Sequence, residues 1–432
     1  MMNIQKMLFM NSKLRQTMKA FKNTKPGSFI WNIYMLLTQK PFWHTHLRII
    51  MSDFLRLPYL RSKDSQKFSG TDFSCNRNLE HLQATMDWLC YAQDVNSDGG
   101  IASSYSFRRG WGASYPETTG YIIPTFFNYY HFTGQEKYRK RAVKMANWLI
   151  SIQLPSGAFQ GLSVEQPPEP RVFNTGQILL GLIRAYKETA DERNINSAKK
   201  ATNWLVSVQD QDGAWRRFSY NGIPHTYHTR VAWPLLELHQ LTGDKSYQQA
   251  AIKNLQWAIN NQKENGWYKY SSFSKKLNPY THNIVYAARG ALESGVLLNE
   301  SVYIELADKV AQVLFKKFEI NKFLPGDFNE GWESHSGYSC LTGNAQLSIL
   351  LMRLYELRGN ETYLNAALKI NQYLRSTQIL NIRNLGIRGG IKGSDPIWGN
   401  YASYSYPSWA AKFFVDSLLL EERIFKVLAK DK

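Results

Sequence analysis

Asn147-Trp148-Leu149-Ile150-Ser151-Ile152-Gln153-Leu154-Pro155-Ser156-Gly157-Ala158-Phe159 is the stretch that decides the fold, because the chain repeats it. Asn203-Trp204-Leu205, Gln209 and Gly213-Ala214-Trp215 keep the same internal spacing. Trp257, Gln262 and Gly266-Trp267 form a third copy. Trp88-Leu89, Gln93 and Gly99-Gly100 form a looser earlier one, and Tyr373-Leu374 with Gln378 a late one. The period is about 55 residues, somewhat longer than the common helical-hairpin repeats. Each unit reads as a charged amphipathic helix ending at the Trp-Leu-x-x-x-Gln segment, then a Gly turn and an aromatic. A loop follows, then a second helix that opens with Thr, Asn or Ser near its N-cap. The second helices are rich in apolar and small residues, as in Ile178-Leu179-Leu180-Gly181-Leu182-Ile183.

Working outward, charged helices start near residues 77, 135, 193, 244, 300 and 360. Apolar helices start near 117, 173, 226, 281, 340 and 406. Six alternating pairs with one apolar set predict an inner and an outer ring. The expected fold is an all-α (α/α)6 toroid of six helical hairpins over residues 71–432. An open superhelix is the competing layout.

The 432 residues are 44% hydrophobic and 20% charged, a globular composition able to bury a large core. Three cysteines, Cys75, Cys90 and Cys340, make no disulfide scaffold or Cys-rich zinc module. The net charge of +18 favours an anionic partner. Residues 1–70 hold twelve Lys/Arg against Asp53 and Asp64, so more than half of the excess lies there. This basic, aromatic-rich N-terminal extension could lie on an anionic membrane or pack on the toroid. No apolar run reaches the roughly 18 residues of a membrane-spanning helix, and Lys13, Arg15, Lys19 and Lys22 crowd the short apolar start. The sequence-level expectation is a cytoplasmic protein, peripheral on the inner membrane at most. Zinc-finger, RNP and helix-turn-helix signatures are missing and the toroid is only modestly basic, so no nucleic-acid partner is expected.

The Gln-x-x-x-Gly-x-Trp/Phe segments resemble the repeats of the squalene cyclase and protein prenyltransferase superfamily. The spacing and the ring are equally similar to the catalytic domains of glucuronyl C5-epimerases, uronate polysaccharide lyases and six-hairpin glycosidases. The resemblance covers most of residues 75–425. Gly112-Ala113-Ser114-Tyr115-Pro116-Glu117-Thr118-Thr119-Gly120-Tyr121-Ile122-Ile123-Pro124 is similar to a stretch in bacterial proteins associated with extracellular polysaccharide production. Asp395-Pro396-Ile397-Trp398-Gly399 and Tyr406-Pro407-Ser408-Trp409-Ala410 are similar to the same group.

In such a ring the loops leading into the inner helices gather at one mouth, where the helix N-termini favour negative charge. The residues placed there are Arg108, Arg109, Trp111, Tyr115 and Glu117, then Arg171 and Asn174, then His225, Tyr227, His228 and Arg230. Tyr280, His282 and Asn283 follow, then Glu333, His335 and Tyr338, then Trp398, Tyr401, Tyr404 and Tyr406. Tyr227, His228, His282, His335, Tyr338 and Glu117 are the catalytic candidates. Arg108, Trp111, Tyr115, Arg171, Asn174, Arg230, Glu333, Trp398, Tyr404 and Tyr406 are the substrate-binding ones. Arg and Asn would neutralise a uronate carboxylate and so acidify the C5 proton, with His or Tyr as base and a second Tyr as acid. Expelling the 4-O-linked sugar gives a lyase, and reprotonation on the other face gives an epimerase.

The expected function is therefore an enzyme acting on an acidic, uronate-containing polysaccharide or its lipid-linked precursor in capsule or exopolysaccharide biosynthesis. The alternatives are a six-hairpin glycosidase using Glu117 with a second carboxylate, a non-catalytic glycan-binding scaffold, and a terpenoid- or prenyl-binding protein. The Asp-x-Asp-Asp acid motif of squalene cyclases is absent; Asp94-Val95-Asn96-Ser97-Asp98 is only turn-like. Cys340 lies near His335 with no Asp-x-Cys before it, so neither a metal nor another cofactor is expected.

Overall fold

The computed structural model describes residues 43–61, 75–321 and 323–430. Helix α1 (Trp43–Arg61) comes first, followed by α2 (Cys75–Asp94), α3 (Pro116–Thr133), α4 (Glu136–Ser151), α5 (Val172–Thr189), α6 (Glu192–Ser207) and α7 (Thr229–Thr242). The chain continues with α8 (Lys245–Asn260), α9 (Thr281–Leu298), α10 (Ser301–Asn321), α11 (Leu341–Arg358), α12 (Glu361–Thr377) and α13 (Ser408–Leu428). Helices α3, α5, α7, α9, α11 and α13 are buried along nearly their whole length and pack side by side, with α13 returning to α3. Six inner helices thus close a ring. Helices α2, α4, α6, α8, α10 and α12 form the outer layer. Short connections make antiparallel pairs of α3 with α4, α5 with α6, and so on to α11 with α12. The sixth pair joins α13 to α2, so the two ends of the toroid close the circle.

The repeated Gln explains the spacing seen in sequence. Gln153 Nε2 donates to the Gly157 carbonyl of its own turn (2.7 Å) and to the Ser197 carbonyl of the next outer helix (2.9 Å). Gln209 does the same with Gly213 (3.0 Å) and Ala250 (2.9 Å), and Gln262 with Gly266 and Leu306. Gln93 ties its turn to α4 through Arg141, and Gln378 crosses the closure by reaching Gly389 and His81 of α2. Each amide bonds the carbonyl of its own Gly turn and a carbonyl on the neighbouring outer helix, and so stitches one outer helix to the next. The turn glycine is required by space and by conformation. Gly213 has φ +89°, and a Cβ there would stand 2.3 Å from the Lys253 carbonyl oxygen.

Inner helices also meet through glycine. A Cβ on Gly181 would lie 2.2 Å from the Gly120 carbonyl oxygen, so α3 and α5 touch backbone to backbone.

Two local expectations need correction. The inner helices are not capped by Thr, Asn or Ser: their N-cap residues include Tyr115, Arg171, His228, Tyr280 and Cys340, none with a side-chain cap. Thr119 and Thr175 sit inside the first turn, where their hydroxyls accept from the backbone N–H of Ile101 and Phe159. They hold the Gly-turn strand against the inner helix instead. The third inner helix begins at Thr229, after a 3-10 turn over Thr226–His228.

The loops at the mouth carry short strands. β1 (Ser104–Ser106) pairs antiparallel with β2 (Gly110–Trp111) and with β5 (Ser405–Pro407), setting Tyr105 opposite Tyr406. β3 (Ser339–Cys340) pairs with β4 (Ser394–Asp395). Helix α1 lies on this loop layer. Ile49 and Ile50 join the main core, and His46 stacks on Phe107 at 4.0 Å. Asp53 forms a buried ion pair with Lys392 (2.7 Å) and accepts from the Ile397 N–H (2.8 Å). Lys392 also meets Asp395 at 2.6 Å. No helix among the described residues is long and apolar enough to cross a membrane.

Candidate active site

A cavity of about 300 Å³ opens at the mouth of the ring. Tyr115, Glu117, Arg171, Asn174, Tyr227 and His282, all expected at the mouth, line it together. So do Asn283 and Tyr401. Apart from Gly161 and Leu162, the remaining wall is aromatic: Tyr121, Phe173, Phe218, Tyr220, Phe273, Tyr286 and Trp409. Two of these residues had a legible signal. Tyr121 lies four residues after Glu117 and Tyr286 four after His282, so each shares a helix face with a residue at the mouth.

Glu117 stands in the first turn of α3. Asn174 Nδ2 donates to its Oε2 at 2.8 Å, and Tyr115 is its other hydrogen-bonding neighbour. Burial among aromatics raises the carboxyl to about 7, although the Tyr115 hydrogen bond and the Arg230 charge pull the other way. Among the described residues, Glu117 is the sole carboxylate that lines the cavity. Arg230 lies beneath, buried in the ring. Its Nε donates to Gln177 Oε1 (2.9 Å) and its guanidinium stacks 4.7 Å over Tyr286.

His282 is buried and neutral. Desolvation, with the Arg230 charge, lowers its pKa to about 3. The Gln346 amide nitrogen lies between His282 Nδ1 (2.7 Å) and the Thr342 carbonyl oxygen. An amide N–H must face that carbonyl, so Nδ1 accepts and the imidazole proton sits on Nε2. The phenols of Tyr115, Tyr121, Tyr227, Tyr286 and Tyr401 are pushed above their ordinary range by burial, so they remain protonated and can only donate protons near neutrality.

The expected clustering of histidines at the mouth does not occur. His335 is exposed on the loop before β3, as is Glu333, which hydrogen-bonds Asn329. His228 is fully buried behind the cavity wall against Phe173 and Trp215, and neither ring nitrogen has a partner among the described residues. Tyr338 packs with Cys340 and Tyr401, and its hydroxyl donates to Asp327 (3.2 Å), outside the cavity lining. The last loop also diverges. Pairing of β5 with β1 turns Tyr404 and Tyr406 toward Phe107, with ring centroids 6.4 and 6.2 Å away. Trp398 is half-buried and packs against the core. The β1–β2 turn leaves Arg108 exposed and lays Trp111 on Trp88 of α2, 5.0 Å between rings. Arg230 contributes charge from below the lining. Among the described residues, no three His, Cys, Asp or Glu side chains converge as a metal site.

The family model described as the squalene-hopene cyclase C-terminal domain matches residues 117–291. No curated protein sequence matches the chain. Solved structures do. An unsaturated glucuronyl hydrolase specific for heparin superposes with TM-score 0.67 at 14% identity, over 82% of this chain and 99% of that one. The unsaturated glucuronyl hydrolase of a Bacillus species, responsible for glycosaminoglycan degradation, gives 0.64 at 16%, over 80% and 97%. Cellobiose 2-epimerase from Bacillus thermoamylovorans gives 0.65 at 13%, over 80% and 98%. At these identities the likeness is one of fold, and it spans nearly the whole of each neighbour. With six closed hairpin pairs stitched by the repeated Gln, the chain has the α/α-toroid fold of these structures.

Proposed function

We propose that the protein is a carbohydrate-active enzyme that moves a proton at a uronate of an acidic glycan, as an epimerase or a lyase, with Glu117 as base. The observation that carries this reading is a single carboxyl held near pH 7 inside an aromatic cavity. A general base works best when its pKa lies near the operating pH. His282, at about 3, is too weak a base for this task, and the phenols are too firmly protonated. The role expected of His or Tyr therefore passes to Glu117, with a cavity phenol as acid.

The step balances simply. Glu117 takes the C5 proton, and the electron pair delocalises into the uronate carboxylate. Arg171 at the rim, Asn283 and the Nε2–H of His282 are the groups available to carry that charge. Returning a proton to the opposite face inverts C5, and expelling O4 leaves a 4,5-double bond. The aromatic wall offers faces for sugar rings. The neighbours support a sugar substrate: two act on glucuronyl sugars and one epimerises cellobiose, by their names. The stretches similar to polysaccharide-production proteins support a place in making an extracellular glycan. A two-carboxylate glycosidase fits less well, because no second carboxyl stands opposite Glu117 among the described lining residues.

The test is to incubate the protein with a panel of uronate polysaccharides in deuterated water and follow proton NMR. Loss of the C5 proton signal from intact chains identifies an epimerase, and new vinyl protons a lyase. New reducing ends with neither signal would overturn the reading in favour of hydrolysis.

A further inference from the structure

We propose that the outward face of α1 docks the mouth end of the toroid on an anionic lipid bilayer. This inference is independent of the reaction above. Helix α1 has two faces. Ile49, Ile50 and Asp53 point into the protein. Leu47, Met51, Phe54 and Leu55 point away, at 38%, 46%, 50% and 65% exposure. Their spacing of four, three and one makes a continuous helical stripe. The stripe is held rigidly, since the buried Asp53–Lys392 pair and the His46–Phe107 stack fix α1 on the loops at the mouth.

The surroundings are basic. Arg48 is exposed on α1 itself. Arg108 and Arg109 are exposed on the turn immediately after Phe107. Arg383 and Arg388 are exposed on the loop whose Asn384 donates to the Tyr105 hydroxyl (2.9 Å), and Tyr105 packs edge-on to His46. Apolar side chains ringed by arginine match the interfacial zone of an anionic membrane, where the side chains enter the acyl boundary and the cations meet headgroups. Charge argues against other occupants. A second copy would bring two basic rims together. Residues 1–42 carry seven Lys/Arg and no Asp or Glu, so they too are repelled by this rim.

The test is flotation of the full-length protein with vesicles of phosphatidylcholine alone or mixed with phosphatidylglycerol. The protein should float with the mixed vesicles only. Phe54→Glu with Leu55→Glu should lower that partition by about tenfold or more. Leu241→Glu, at an exposed position on the opposite end, should leave it unchanged. Phe54→Trp should be quenched by brominated lipid in the mixed vesicles. Unchanged flotation of the double variant would overturn the proposal, as would an unquenched Trp. So would a solution dimer that Phe54→Glu dissociates without any vesicle binding.

Discussion

Replacing Glu117 with Gln should stabilise the fold while removing the base, and the gain should depend on pH. The carboxyl titrates near 7 in the folded protein and near 4.5 when unfolded. The folded state therefore holds its proton more tightly. Its stability contribution is intact below about pH 4.5, falls as pH rises toward 7, and stays low above that. At 1.36 kcal/mol per pH unit, the full difference is about 3 kcal/mol. Glu117 still has access to the open cavity, so that figure is a ceiling. Gln keeps the size, and its amide oxygen still accepts from Asn174 without a charge to desolvate. The variant should match the wild type at pH 4.5 and exceed it by up to about 3 kcal/mol at pH 8.5. In a chain of this length that is a Tm difference of about 3 °C, from an unfolding entropy of about 2 cal/mol/K per residue. Differential scanning calorimetry at the two pH values reads it directly. An identical gap at both pH values would refute the raised carboxyl, and so would a variant less stable than wild type at pH 8.5.

If Glu117 acts as base, kcat/KM should rise with pH through about 7, since the ionised form is the active one, and Glu117→Gln should lower it by about 10²–10⁴. His282 should show no titration between pH 5 and 9, and nitrogen-15 NMR should find its proton on Nε2. Lys392→Met leaves Asp53 and Asp395 buried without their shared cation and should cost about 3–5 kcal/mol by urea denaturation, most of it regained when both aspartates are also made apolar. Gln209→Ala removes the two hydrogen bonds that tie the Gly213 turn to Ala250 of α8 and should cost about 1–3 kcal/mol in the same assay, with Asn254 still donating to the Gly213 carbonyl.

The architecture was legible because it is periodic. All twelve ring helices lie within a few residues of the starts read from Trp, Gln and Gly spacing, since one local solution is repeated around the circle. Ring closure was readable as a count, but not the pairing of α13 with α2, which joins residues more than 300 positions apart. The cavity was half legible. Glu117, Asn174 and His282 occupy the first turns of inner helices, and those turns converge by symmetry. The last loop was legible only in part, because the β1–β5 pairing turns Tyr404 and Tyr406 away while Tyr401 keeps the wall. The histidines shared an address in sequence but not in space: His335 is carried out to solvent and His228 inward behind Phe173.

The most direct measurement is the rate at which deuterium from solvent enters C5 of a uronate glycan, for wild type and for Glu117→Gln, from pH 5.5 to 8.5. Proton transfer by Glu117 predicts wild-type incorporation that climbs with a midpoint near pH 7 and a variant that binds the glycan yet incorporates at least a hundredfold more slowly. Equal incorporation by the two proteins, or a wild-type rate that falls as Glu117 ionises, would contradict it.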